Sequence, residues 1–119
     1  MSNKIIFKIL TAADWQKAQA GADVQAPVDI VDGYVHFSTA TQVQETLNKW
    51  FTGEEGAVLL AYSASDFPSL LRWERSRNEE LFPHVYGRVN AKQAKSVWTM
   101  EMGPNGAPIA PPEALEFAR

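Results

Sequence analysis

Hydrophobic and polar positions change period several times along this chain, and each change marks an element. Lys4 to Leu10 is a short apolar run of strand length. Thr11-Ala12-Ala13-Asp14 then has the Ser/Thr-x-x-acid form that opens a helix, and Trp15, Ala18 and Ala22 fall on one face of it. A polar loop holding Pro27 and Asp29 leads to the turn signal Asp32-Gly33 and the extended run Tyr34-Val35-His36-Phe37-Ser38. Thr39 with Gln42 forms the next capping pair. Val43, Leu47, Trp50 and Phe51 follow at the i, i+4, i+7, i+8 spacing of an amphipathic helix that ends before Gly53, with Glu45 and Lys49 supporting it at i, i+4. Ala57 to Tyr62 is a continuous apolar run of strand length, and Leu70 to Glu74, Leu81 to Tyr86 and Ser96 to Met102 are further strands. From Gly103 the density of Gly and Pro, through Pro111-Pro112, predicts a loop that wraps the surface or is mobile.

Two early helices followed by at least four strands define an α+β domain rather than a doubly wound parallel sheet. The expected organisation is one domain over residues 1–102 and a Pro/Gly-rich tail over 103–119. A chain of 119 residues buries roughly two thirds of its unfolded surface, so its core needs no covalent staple. With no cysteine, disulfides, thiolate chemistry and Cys-based zinc or iron–sulfur sites are excluded. The run Ile5-Ile6-Phe7 is too short for a signal peptide, and no stretch approaches the roughly 18 apolar residues of a membrane span. The expectation is a cytoplasmic protein with no membrane partner.

Net charge is −3, unevenly spread: residues 1–71 carry −4, residues 72–95 carry +3 and residues 96–119 carry −2. In the positive stretch Arg72, Arg75 and Arg77 are expected to line a cleft and hold a phosphate, since guanidinium forks match phosphate geometry. The competing reading is a solvated charged face. An acidic chain overall lacks the broad positive potential of a duplex-binding surface. There is no Gly-rich phosphate loop either; Gly53-Glu54-Glu55-Gly56 is a turn between helix and strand.

The chain has two histidines, His36 and His84, each in a turn-bounded extended segment. Histidine titrates nearest neutrality, so the pair can bind, polarise or transfer protons, and both are expected in one cleft. Strand alternation sends His36 and Ser38 to one face and Phe37 to the other, so an imidazole and a hydroxyl converge on one ligand. Ser38 alternatively caps the helix near Thr39. Glu74 alternatively pairs with Arg72 along one strand face. Tyr86 and Trp73 suit the core or its rim, and Pro83 places His84 near a sheet edge. Two His without Cys make a poor metal-ligand set.

The segments Ile6-Phe7-Lys8-Ile9, Asp32-Gly33-Tyr34-Val35-His36-Phe37-Ser38-Thr39, Arg72-Trp73-Glu74 and Phe82-Pro83-His84-Val85-Tyr86-Gly87 resemble the small bacterial family labelled domain of unknown function 952, to about Met102. What the resemblance implies is a split antiparallel sheet related to the ADP-ribosyltransferases and RNA 2′-phosphotransferases. In those proteins a strand-borne His-x-Ser/Thr contacts the adenosine ribose and the nicotinamide amide of NAD, and His36-Phe37-Ser38 occupies that place. The resemblance thus implies an NAD or adenine-nucleotide ligand, with His36, Glu74 and His84 as catalytic candidates and Ser38, Arg72 and Tyr86 as ligand-binding ones. Glu74 and Tyr86 are the chemical types of the later transferase motifs, without a firm alignment to them. Two alternatives stand beside this reading. One is a two-histidine phosphoesterase, whose second motif reads His84-Val85-Tyr86 and lacks the hydroxyl of Ser or Thr. The other is a non-catalytic nucleotide-binding module.

Overall fold

The computed structural model describes residues 4–119, with the side chain of Arg77 outside the described residues. The first apolar run forms strand β1 (Ile5–Leu10), and Thr11 caps helix α1 (Ala12–Gln19) by accepting the Asp14 amide at 3.1 Å. Helix α2 (Pro27–Asp32), strand β2 (Val35–His36) and helix α3 (Val43–Trp50) follow. Strands β3 (Val58–Ser63), β4 (Leu71–Arg75), β5 (Leu81–Val85) and β6 (Ser96–Thr99) come next, and helix α4 (Pro112–Phe117) closes the chain. The strands form two antiparallel three-stranded sheets, ordered β1-β3-β6 and β2-β5-β4. Phe7 and Ser38 exchange two backbone hydrogen bonds of 2.8 Å, which joins the two sheets edge to edge.

Alternation along β1 and β3 divides the core. Ile6, Leu10, Leu60 and Tyr62 face Val35, Phe37 and Val85 of the second sheet, while Phe7, Ile9, Leu59 and Ala61 face Val43 and Leu47 of α3. Each such fully buried aliphatic or aromatic side chain contributes about 1.5–3 kcal/mol. The even-numbered face of β1 also carries Lys8, a charge that points toward the second sheet and whose partners are described below.

The structure corrects four expectations. Residues 27–32 are a helix rather than a loop: Pro27 suits the first helical turn, the Asp29 carboxylate accepts the Ala26 amide at 2.7 Å, and Gly33 at φ 86° ends the helix in the left-handed conformation. Three helices therefore precede β3, not two. Residues 103–119 are not all loop, because Pro111-Pro112 opens α4, and Ala110 and Ala114 are buried against Phe7 and Leu59. Helix α3 starts at Val43, and the Thr39–Gln42 pair forms a separate turn with the Gln42 side chain accepting the Thr39 amide at 2.9 Å. Finally, β5 lies at the centre of its sheet despite Pro83. The Pro83 carbonyl accepts the Phe37 amide at 2.9 Å on the β2 side, and the reciprocal bond is the one proline cannot donate, which is where regular β2–β5 pairing ends, at His36. Among the described residues no helix is long and apolar enough to cross a membrane.

Candidate functional site

Register in the second sheet aligns the chemistry. His36 of β2 is the direct partner of His84 in β5, and His84 is the direct partner of Arg72 in β4. Because side chains alternate, Glu74 and Tyr86 share that face, while Val35, Phe37 and Val85 turn into the core. The His36 and His84 rings are edge to face with centroids 5.2 Å apart. Tyr34, from the Gly33 turn, packs on both of them, at 4.6 Å from His36 and 4.4 Å from His84.

His84 is only 3% exposed. Its Nδ1 lies 2.7 Å from Glu74 Oε1, and the Tyr86 hydroxyl donates to both Glu74 oxygens at 2.8 and 3.0 Å. These hydrogen bonds, that from His84 first, hold the Glu74 carboxyl below its usual range, and the same contact pushes the Tyr86 phenol up. Burial pushes the His84 imidazole down against the pull of Glu74. An ionised carboxylate only accepts, so Nδ1 carries the proton and the neutral ring presents Nε2 as an acceptor. Among the described residues Nε2 has no partner.

His36 is held differently. Its Nδ1 lies 2.6 Å from Asp29 Oδ1 and its Nε2 3.0 Å from Asp32 Oδ2. Asp29 is buried and also accepts from the His36 amide at 3.0 Å and from Lys8 Nζ at 2.8 Å. Burial alone would raise its carboxyl, but the hydrogen bond from His36 and the charge of Lys8 hold it at about 2. Burial in turn pushes the Lys8 amine down, opposed by Asp29. Lys8 also donates to the His36 carbonyl at 2.9 Å, so one buried cation ties β1 to β2 and to α2.

A cleft of about 750 Å³ opens where the sheets meet, within the size range of small-molecule sites. Lys8, His36, Ser38 and His84 line its polar part, and Pro27, Val28, Trp50, Phe51 and Phe82 its apolar part. Ser38 reaches it with its hydroxyl 3.4 Å from that of Thr46; it is no helix cap, since α3 begins five residues later. Glu74 and Tyr86 reach the cleft only through His84. Arg72 sits one strand further out and places its guanidinium 4.8 Å over the Tyr86 ring, so it does not line the cleft. Arg75 is exposed and faces Glu79, with Nη1 3.3 Å from the Glu79 carbonyl. The phosphate role expected of the basic segment therefore has no support at Arg72 or Arg75, and the Arg77 side chain lies outside the described residues. Trp73 is on the opposite side of β4, with Lys4 Nζ 5.2 Å from its ring centroid.

Four participants escape a reading of the sequence: Lys8, Asp29, Asp32 and Tyr34. The lysine inside Ile5-Ile6-Phe7-Lys8-Ile9-Leu10 is the one legible signal, a charge where only apolar residues belong. Asp29 and Asp32 are hidden because Pro27 makes their segment look like a loop. Among the described residues no group of three or more His, Asp or Glu side chains is arranged to hold a metal ion.

Two antiparallel three-stranded sheets around a histidine-bearing cleft define an α+β protein whose site lies at the sheet junction. The family model described as Protein of unknown function (DUF952) matches residues 9–97, and the chain belongs to that family. It is similar to protein CC0527 from Caulobacter crescentus: the crystal structure matches at 34% identity with a TM-score of 0.88, covering 95% of this chain and 99% of that one. The solution NMR structure of the same protein matches at 36% identity with a TM-score of 0.77, covering 87% and 90%. No curated protein matches the chain.

Proposed function

We infer that this protein binds NAD or a related adenine nucleotide in the cleft at the sheet junction, as a cytoplasmic protein of transferase-like architecture. The observation that carries this reading is the Nε2 of His84, buried at the cleft wall and unpartnered among the described residues. A buried polar group left without a partner costs about 1–3 kcal/mol, so a ligand donor belongs there. Neutral His84 presents an acceptor, and a ribose hydroxyl is the donor it suits. With Glu74 behind Nδ1, the same nitrogen can take a proton from that hydroxyl as a general base, which makes processing of ADP-ribose or of a nucleotide phosphate the chemistry in reach. The exposed indole of Trp50 in the apolar part of the cleft offers a stacking surface for the base.

One observation favours a second reading, a two-histidine phosphoesterase. Both imidazoles carry a carboxylate on Nδ1 and lie 5.2 Å apart, as an acid and a base on one phosphate require. Thermal unfolding in the presence of NAD, ADP-ribose, AMP and 2′,3′-cyclic phosphates separates the two. A ligand at 100 times its dissociation constant adds about 2.7 kcal/mol of stability. Stabilisation by NAD, ADP-ribose or AMP that His84→Ala abolishes is the expected result. Stabilisation confined to cyclic phosphates moves the conclusion to the phosphoesterase, and none from any of these ligands overturns both.

A further inference from the structure

The two aspartates that hold His36 are not equivalent. Asp29 is buried and bonded to four donors, whereas Asp32 is 38% exposed at the last residue of α2 and touches the imidazole with one oxygen. Exposed and held by that one contact, Asp32 can swing outward without disturbing the core, while Asp29 keeps the ring in place. Nδ1 is hydrogen-bonded to Asp29 at 2.6 Å, whereas Asp32 Oδ2 stands 3.0 Å from Nε2 as a close charge contact, so an anionic oxygen already sits beside Nε2 at the cleft wall.

We propose that Asp32 is an internal occupant of an anion subsite on His36, and that a phosphate-bearing ligand enters by taking its place on Nε2. The Asp29 charge behind the ring is met by Lys8 at 2.8 Å, and Lys49 supplies a second cation to the cleft lining; Asp14, also at the wall, is the remaining acid there. The proposal deepens the nucleotide reading: the subsite lies 5.2 Å, ring to ring, from the hydroxyl acceptor on His84, a spacing that a ribose and its own phosphate can bridge. A side chain that fills a site nine-tenths of the time weakens ligand binding about tenfold, so its removal should strengthen binding by about that factor.

The test uses inorganic phosphate, which needs no nucleotide, followed through the His36 ring nitrogens by NMR in the full chain. In Asp32→Ala the phosphate midpoint should fall about threefold to tenfold below wild type. Asp32→Asn, which keeps an acceptor without the charge, should fall between. Adding His36→Gln to Asp32→Ala should abolish the response. Equal midpoints, tighter binding by the wild type, no response in any form, or a response that survives His36→Gln each overturn the proposal. Titration with AMP and adenosine then separates the two readings. If phosphate behaves as expected and AMP binds neither form, the subsite stands and the adenine-nucleotide reading falls; if AMP binds both forms equally and phosphate shows no difference, the subsite falls and the nucleotide reading stands.

Discussion

Tyr34 and His84 stack with ring centroids 4.4 Å apart and planes inclined by 29°. The phenol covers one face of an imidazole whose other neighbours are His36 and the Glu74–Tyr86 pair, which is how a side chain next to a cleft remains almost entirely out of water. Removing that cover tests whether burial is what depresses the His84 titration. In Tyr34→Ala the His84 midpoint, followed by NMR, should rise toward its ordinary value, and the unfolding free energy should fall by about 0.5–1.5 kcal/mol, the worth of an aromatic pair. Tyr34→Phe should leave both unchanged. A His84 midpoint that does not move in Tyr34→Ala contradicts this account.

Stability should fall on acidification in separable stages. His84 titrates below its ordinary 6.5 when folded, so the unfolded chain binds more protons and stability is lost as pH falls from about 6.5. Glu74 has the same sign from about 4.5 downward. Asp29, held at about 2 against an ordinary 3.8, adds a loss on the order of 2 kcal/mol between about pH 4 and pH 2. Denaturant unfolding at a series of pH values reads this directly. In His84→Gln the earliest stage should disappear and the most acidic one persist.

Lys8 and Asp29 form a buried ion pair at 2.8 Å. Lys8→Met takes the lysine counter-charge from the buried Asp29 carboxylate, which keeps the His36 ring and two backbone amides, and should lower the unfolding free energy by about 1–3 kcal/mol. Lys8→Met with Asp29→Asn should recover part of that loss, since no charge is then left unpaired. Strictly additive effects in the double-mutant cycle would mean the two side chains do not depend on each other.

Helix α4 should behave as core rather than as tail. Ala114 is fully buried against the first sheet, and Phe117 packs edge-on against Trp98 at 5.7 Å. Ala114→Asp therefore sets a charge among apolar side chains and should destabilise the protein by about 2 kcal/mol or more by chemical denaturation. An unaltered unfolding curve would show that residues 103–119 detach freely.

What the sequence determined is what local pattern determines. Strands β1 and β3 follow from apolar runs, β4, β5 and β6 from shorter segments of strand length, α1 from the Thr11 cap, and the α+β class from their order. His36, Ser38 and His84 were legible as a group because extended segments alternate and a turn precedes the first of them. Local pattern misled wherever proline had two meanings: Pro27 and Pro112 open helices, and Pro83 sits inside a sheet whose pairing simply stops beside it. Tertiary structure alone decided who touches whom. Register set His36 opposite His84, and one strand further out it carried Arg72 away from the cleft and onto Tyr86. Lys8 and Asp29 are 21 positions apart, and nothing in either neighbourhood announces the other. They meet because a charge inside an apolar strand has to find its counter-charge within the fold, and only the packing of α2 and β2 against β1 supplies it.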